Sequence, residues 1–327
     1  NLLFIEEPEA HTHPQMQYVF IKNIKNFLCE NKESLNLQTV ITTHSAHISS
    51  QSDFSDIKYF LSRDDQIIVK NLSDLEDKYG NDAEGKASFK FLKQFLTLHR
   101  AELFFSDKII FIEGDTERIL LPAMMKKLDE KNKATEHYSP LLSQKISIVE
   151  VGAHSKSFDK FLEFLEIKTL IITDLDSVKD SGMGRKVSCK VTEGTDTSNS
   201  SIKHYLNGKT WDDLKSVPGD QRIVTRENTE IYISYQSEEE SYQARSFEDA
   251  FLSLNFEFIK SKKDDFSSLK NRATLDSTPP DYFEIAENCI GKKTEFATDI
   301  LFYSTDEFAN WKTPAYINNG LLWLMKN

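Results

Sequence analysis

Lys108-Ile109-Ile110-Phe111-Ile112-Glu113-Gly114-Asp115-Thr116-Glu117 decides the fold. An apolar run too short for a helix ends in an acid and a glycine. The mostly apolar segment 119–128 follows at once, with Pro122 read as lying near a helix start. This is the pattern of a buried parallel strand, a tight turn and a crossover helix, the unit of doubly wound sheets. Glu113 then falls at the carboxyl end of a strand, where open α/β sheets place their ligands. Two further segments lead to the same edge. Ile146-Ser147-Ile148-Val149-Glu150-Val151 stops at Gly152, and Thr169-Leu170-Ile171-Ile172-Thr173 runs into Asp174-Leu175-Asp176.

Glu113-Gly114, Gly152 and Asp174/Asp176, at consecutive strand ends, resemble the marks of a Toprim domain, the metal-binding fold of topoisomerases, primases and some nucleases. Each mark is weak alone. Three in order are specific.

The 327 residues suffice for two domains with proper cores. No apolar run approaches a membrane span and no signal-peptide pattern is present, so a cytoplasmic protein is expected. Cys29, Cys189 and Cys289 lack Cys-x-x-Cys spacing and fit reduced thiols. A formal net charge of −12 argues against a protein that coats nucleic acid. It leaves room for an enzyme that meets a phosphodiester through bound cations, because clustered carboxylates need such neutralisation.

The chain opens on a buried strand, Asn1-Leu2-Leu3-Phe4-Ile5, followed by Glu6-Glu7-Pro8-Glu9-Ala10-His11. This resembles the Walker B strand of ABC-type ATPases, with Glu6 where the family usually has aspartate and Glu7 in place of the catalytic glutamate. Strand Thr39-Val40-Ile41-Thr42-Thr43 leads to His44, which resembles the family's switch histidine at the terminal phosphate. A phosphate-cradling Gly-x-x-x-x-Gly-Lys-Ser/Thr and the family's signature motif are absent. The expectation is therefore the carboxyl-terminal part of a longer protein, with ATP binding and hydrolysis only in the full-length molecule. His11-x-His13 reads as part of the loop, since two imidazoles do not fill a zinc site.

Segments 57–72 read as a strand pair closing the ATPase part, 73–86 as a linker, and 87–105 as a helix bridging to a second domain. The expected domains are thus 1–72, 73–106 and 107–327. After Asp176 the chain turns long, polar and irregular. It reads equally as a mobile surface insertion or as an arm gripping phosphates with Lys179, Arg185, Lys186 and Lys190. Thr197-Ser198-Asn199 can cap a helix through Tyr205. Ser246 with Asp249 three residues on is a variant capping box. A strand is expected over 228–235, a helix opening at Lys292-Lys293, and a final apolar helix over 314–325 packed on the sheet.

An ATPase end joined to a Toprim domain resembles the OLD (overcoming lysogenization defect) nucleases, which include the nuclease subunit of Gabija-type phage defence. The marks are Glu113-Gly114-x-x-Glu117, Asp174-x-Asp176, Ser246-x-Glu248 and Lys293-Thr294-Glu295-Phe296-Ala297. The resemblance implies an α/β protein: the end of an ABC-type ATPase domain, then a Toprim domain with a Rossmann-like parallel sheet and helical additions. It implies two Mg²⁺ or Mn²⁺ ions held by Glu113, Glu117, Asp174, Asp176 and Glu248, with Ser246 in support. Catalysis would rest on Glu113, Asp174 and Lys293, with Lys292 the alternative lysine. DNA is the implied substrate, anti-phage defence the implied role, a homo-oligomer through the ATPase domain the implied assembly, and a helicase a possible partner. Glu6, Glu7 and His44 would be remnants of the ATP site.

Two magnesium ions about 4 Å apart can activate a water and neutralise a phosphoryl group, and hard carboxylate oxygens suit them. The expected activity is thus metal-dependent DNA cleavage or nicking, regulated by the ATPase domain. The alternatives are a topoisomerase-like strand passer, which needs a tyrosine in a DNA-breakage domain not seen here, and a non-catalytic clamp. Asp115 reads only as a favourable charge at a helix start.

Overall fold

The computed structural model describes residues 1–31, 37–98, 100–136, 138–182 and 184–326. It divides into two compact units, 1–107 with 157–166, and 108–156 with 167–327.

The first unit begins with strands β1 (Leu2–Glu6) and β2 (Gln38–Thr42), paired in parallel. Between them lies helix α1 (Pro14–Glu30), whose start is capped by His13: its Nδ1 accepts the Gln15 N–H at 3.3 Å. Helix α2 (Ala46–Ser50) follows β2. The antiparallel pair β3 (Lys58–Arg63) and β4 (Gln66–Asn71) is next. The segment read as a linker is partly helical, containing α3 (Leu75–Tyr79), because Leu75 has a core to enter. The single helix expected over 87–105 is instead α4 (Ala83–Leu98) and a separate 3₁₀ turn, Ala101–Phe105. Residues 157–166 complete this unit. Phe158 stacks edge-on against Phe91 and Phe95, the Tyr79 hydroxyl donates to Ser157 O at 2.6 Å, and Glu166 receives Arg63 and Lys70.

The second unit is built on β5 (Lys108–Ile112), β6 (Ile146–Glu150) and β7 (Lys168–Ile172). A small antiparallel sheet, β8 (Ser177–Asp180), β9 (Lys186–Ser188) and β10 (Asp196–Thr197), follows β7. Then come β11 (Ile223–Thr225) and β12 (Glu230–Ser234). The main sheet has the order β11-β12-β7-β5-β6, parallel except for β11. Four consecutive residues of β5, Ile109 to Ile112, are buried, as a strand covered on both faces requires.

Helix α5 (Asp115–Asn132) follows β5, α6 is Phe247–Ser261, α7 Lys293–Phe302 and α8 Ala315–Met325. Because α5 starts at Asp115, Pro122 lies in its interior rather than near its start, and no N–H is available there for the Arg118 carbonyl. The insertion after Asp176 is also not irregular. Lys179 pairs with Glu193, Lys186 and Lys203 with Asp196, and Lys190 with Asp281, so those lysines are committed within the fold. Helix α8 lies on β7 and β12: the Ser234 hydroxyl donates to Tyr316 O at 2.7 Å, and a side chain at Gly320 would meet Leu170 at 2.8 Å.

Candidate metal centre at the strand ends

Glu113 leaves β5 directly. Its Oε1 accepts from the Thr173 hydroxyl, from Asn199 Nδ2 at 2.6 Å and from the Asp174 N–H at 3.5 Å. Burial still raises its pKa, and the Asp176 charge adds to the rise. Gly152, at the end of β6, has φ +53°, which glycine adopts without strain. Glu117, in the first turn of α5, is buried; burial, then the charges of Glu248 and Glu113, push it up to about 8.

Asp174 is buried just beyond β7, and burial followed by Glu113, Glu117, Glu248 and Asp176 holds its pKa well above the usual carboxylate range. Gln236 Nε2 donates to its Oδ1 at 2.7 Å. Asp176 sits at φ +50°, a conformation aspartate tolerates better than most residues, with Oδ1 2.9 Å from the Arg245 guanidinium. Glu248, in the first turn of α6, is 3% exposed. Its Oε1 accepts from the Thr116 hydroxyl at 3.2 Å and its Oε2 lies 2.8 Å from Lys293 Nζ. Partial burial pulls the Lys293 pKa down, but Glu248, Asp174 and Glu117 together raise it above its ordinary value. Lys292 faces Glu295 at 2.6 Å instead.

Ser246 does not face this cluster through its hydroxyl. Its Oγ and N–H both donate to Asp249 Oδ1, at 2.8 and 2.7 Å, so it serves the cap of α6. In the first unit, His44 Nε2 lies 3.5 Å from Glu7, both exposed; Glu6 is exposed at the end of β1.

The donor set beside Lys293 is all carboxylate oxygen, which suits Mg²⁺ or Mn²⁺ and excludes thiolate chemistry. Tyr316 Oη, buried beside Gln236 and within electrostatic reach of Asp174, Glu117 and Glu248, makes no hydrogen bond of normal geometry. An orphaned hydroxyl there fits a site that accommodates water or a hydrated ion. Among the described residues no group of three or more histidine, cysteine, aspartate or glutamate side chains is arranged so that it could hold a metal ion. The acids are spread onto protein donors instead. By chemistry and burial the residues fit divalent cations.

Thr173, Asn199, Gln236, Arg245 and Tyr316 went unassigned to the site in the sequence. Asn199 was legible as a helix cap, but its reach to Glu113 depends on the tertiary fold.

The family description "Overcoming lysogenization defect protein-like, TOPRIM domain" matches residues 104–176, and "AAA ATPase domain" matches 1–49. Endonuclease GajA of Bacillus cereus is 33% identical over all of this chain and 48% of its own length. Old nuclease of Escherichia phage P2 is 30% identical over 54% of this chain and 28% of its length. Among solved structures, the C-terminal region of the Burkholderia pseudomallei OLD protein covers 68% of this chain and 98% of its own, at 22% identity and a TM-score of 0.40. The chain spans about half the length of GajA or less of the relatives it matches. No helix among the described residues is long and apolar enough to cross a membrane. With an AAA-type segment ahead of a Toprim sheet whose strand ends carry the acids, the chain belongs to the OLD family.

Proposed function

We propose that the protein is a divalent-metal-dependent DNA endonuclease or nickase. One observation carries this reading: Glu113, Glu117, Asp174 and Glu248 share one buried strand-end site with the Lys293 amine. Four acids whose charges oppose one another are stabilised together when cations offset those charges. The names of the relatives, endonuclease GajA and Old nuclease, agree with this chemistry.

Glu113, Glu117, Asp174, Asp176 and Glu248 would hold two Mg²⁺ or Mn²⁺ ions. When bound, the ions supply an activated water and offset charge on the phosphodiester. Thr173 and Asn199 orient Glu113, and Gln236 orients Asp174. Lys293, kept protonated by its acidic neighbours, offers a positive charge to the phosphate as negative charge builds. Its pairing with Glu248 fixes the amine at the site. The AAA match supports regulation by an attached ATPase domain, and a role in anti-phage defence belongs to the same reading. Assembly through the ATPase part and a helicase partner belong to the same reading.

The test is cleavage of supercoiled plasmid by the intact protein in Mg²⁺ or Mn²⁺, with Asp174→Ala and chelator as controls. Cleavage lost in both controls is expected. A folded protein that binds DNA and metal yet never cuts, or an Asp174→Ala variant that cuts like the parent, would overturn the reading in favour of a clamp or an external nuclease.

A further inference from the structure

Two amides at the site share one wiring. Asn199 Oδ1 accepts the N–H groups of Ser201 and Ile202 at 3.0 and 3.1 Å, so its NH₂ is left to donate to Glu113 Oε1 at 2.6 Å and Thr173 Oγ1 at 2.8 Å. Gln236 Oε1 accepts the Leu175 N–H at 2.7 Å, and its NH₂ donates to Asp174 Oδ1 at 2.7 Å. Both are buried. A backbone N–H can only donate, so it fixes which end of each carboxamide is oxygen. Among the described residues, Glu113 Oε2 and Asp174 Oδ2 take no protein hydrogen bond. Each acid is therefore capped on one oxygen and bare on the other.

We propose that Asn199 and Gln236 are positioning residues that restrict Glu113 and Asp174 to one-oxygen contact with a divalent cation, and so set a preference for small octahedral ions over calcium. This rests on the metal-centre reading above. Chelation through both oxygens would set the cation in competition with the buried NH₂ donor for the capped oxygen, which weakens that hydrogen bond and is unfavourable. Mg²⁺ takes six ligands in a tight octahedron, whereas Ca²⁺ takes six to eight and uses bidentate carboxylates readily. Capping one oxygen therefore works against calcium more than against magnesium.

Asn199→Asp and Gln236→Glu keep the anchoring acceptor and remove the donor, so the cap on Ser200–Tyr205 and the contact to Leu175 remain. Mn²⁺ bound to the intact protein is followed by its paramagnetic resonance signal, and Mg²⁺ and Ca²⁺ are titrated as competitors. Asp174→Ala and thermal melts are run alongside. The added charge changes affinity for every divalent ion, so the Mg²⁺-to-Ca²⁺ ratio is the readout. We expect that ratio to fall about tenfold in each variant, within the range set by changes behind metal ligands, and the melts verify that each variant is folded under the titration conditions. Variants that keep the parent's ratio, even with weaker binding of all ions, overturn the inference and leave the metal centre standing. A parent that holds no Mn²⁺, or an Asp174→Ala variant that binds as the parent does, overturns the metal centre and this inference with it.

Discussion

Lys292 and Lys293 are adjacent, yet they face different partners. Lys292 pairs with Glu295 on the helix surface, while Lys293 points to Glu248 among the acids. Spacing in the sequence favours Lys293 only through resemblance; the helix start at Lys293 gives the choice a physical basis, because successive residues on a helix diverge. Lys293→Ala is expected to slow plasmid cleavage by about a hundredfold or more, on the scale of losing one donor to developing charge. Lys292→Ala should cut at the parent's rate. Equal losses in the two variants would remove the catalytic role from Lys293.

The elements show where sequence reading succeeds and where it stops. Ile109 to Ile112 form a continuous buried strand, so β5 and the acid at its end are legible from apolar character alone. The cap of α6 is legible too, since Ser246 and Asp249 meet within one turn. The small sheet after Asp176 is not legible: its strands are short and polar, and Lys186 and Lys203 converge on Asp196 only after folding. Asn199 and Gln236 are not legible as site residues because the acids they donate to lie on other segments, and the Tyr316 hydroxyl, which makes no hydrogen bond of normal geometry, reaches the site only through the packing of α8. The packing of α8 makes a further prediction. Gly320 lets the helix approach Leu170, and a Cβ there would also meet Ser234 Oγ at 3.2 Å. Gly320→Val should lower stability by about 1–3 kcal/mol, the usual range for overpacking, as read by denaturant unfolding. An unchanged midpoint would mean the helix can shift at no cost.

At the scale of the whole molecule, the acids link metal, pH and stability. Burial and the charges of Glu248 and Glu113 lift Glu117 from the ordinary glutamate pKa of 4.5 to about 8, and Glu113 and Asp174 rise as well. Between those two pKa values the folded chain keeps a proton that the unfolded chain has released. Stability therefore falls as pH rises through that window, and the loss is complete above about 8. The metal-free protein is expected to melt at progressively lower temperature from about pH 5 to about pH 8. Mg²⁺ should flatten that decline, with its stabilising effect growing with pH because binding displaces protons. A metal-free melting curve that rises over the same range would contradict the buried acids. Topology has a separate outcome. The segment 157–166 lies in sequence between β6 and β7 of the second unit but folds as part of the first. The backbone therefore passes between the units three times, and no single breakpoint can hand either one intact to another protein: as interchangeable cassettes, they are sewn together.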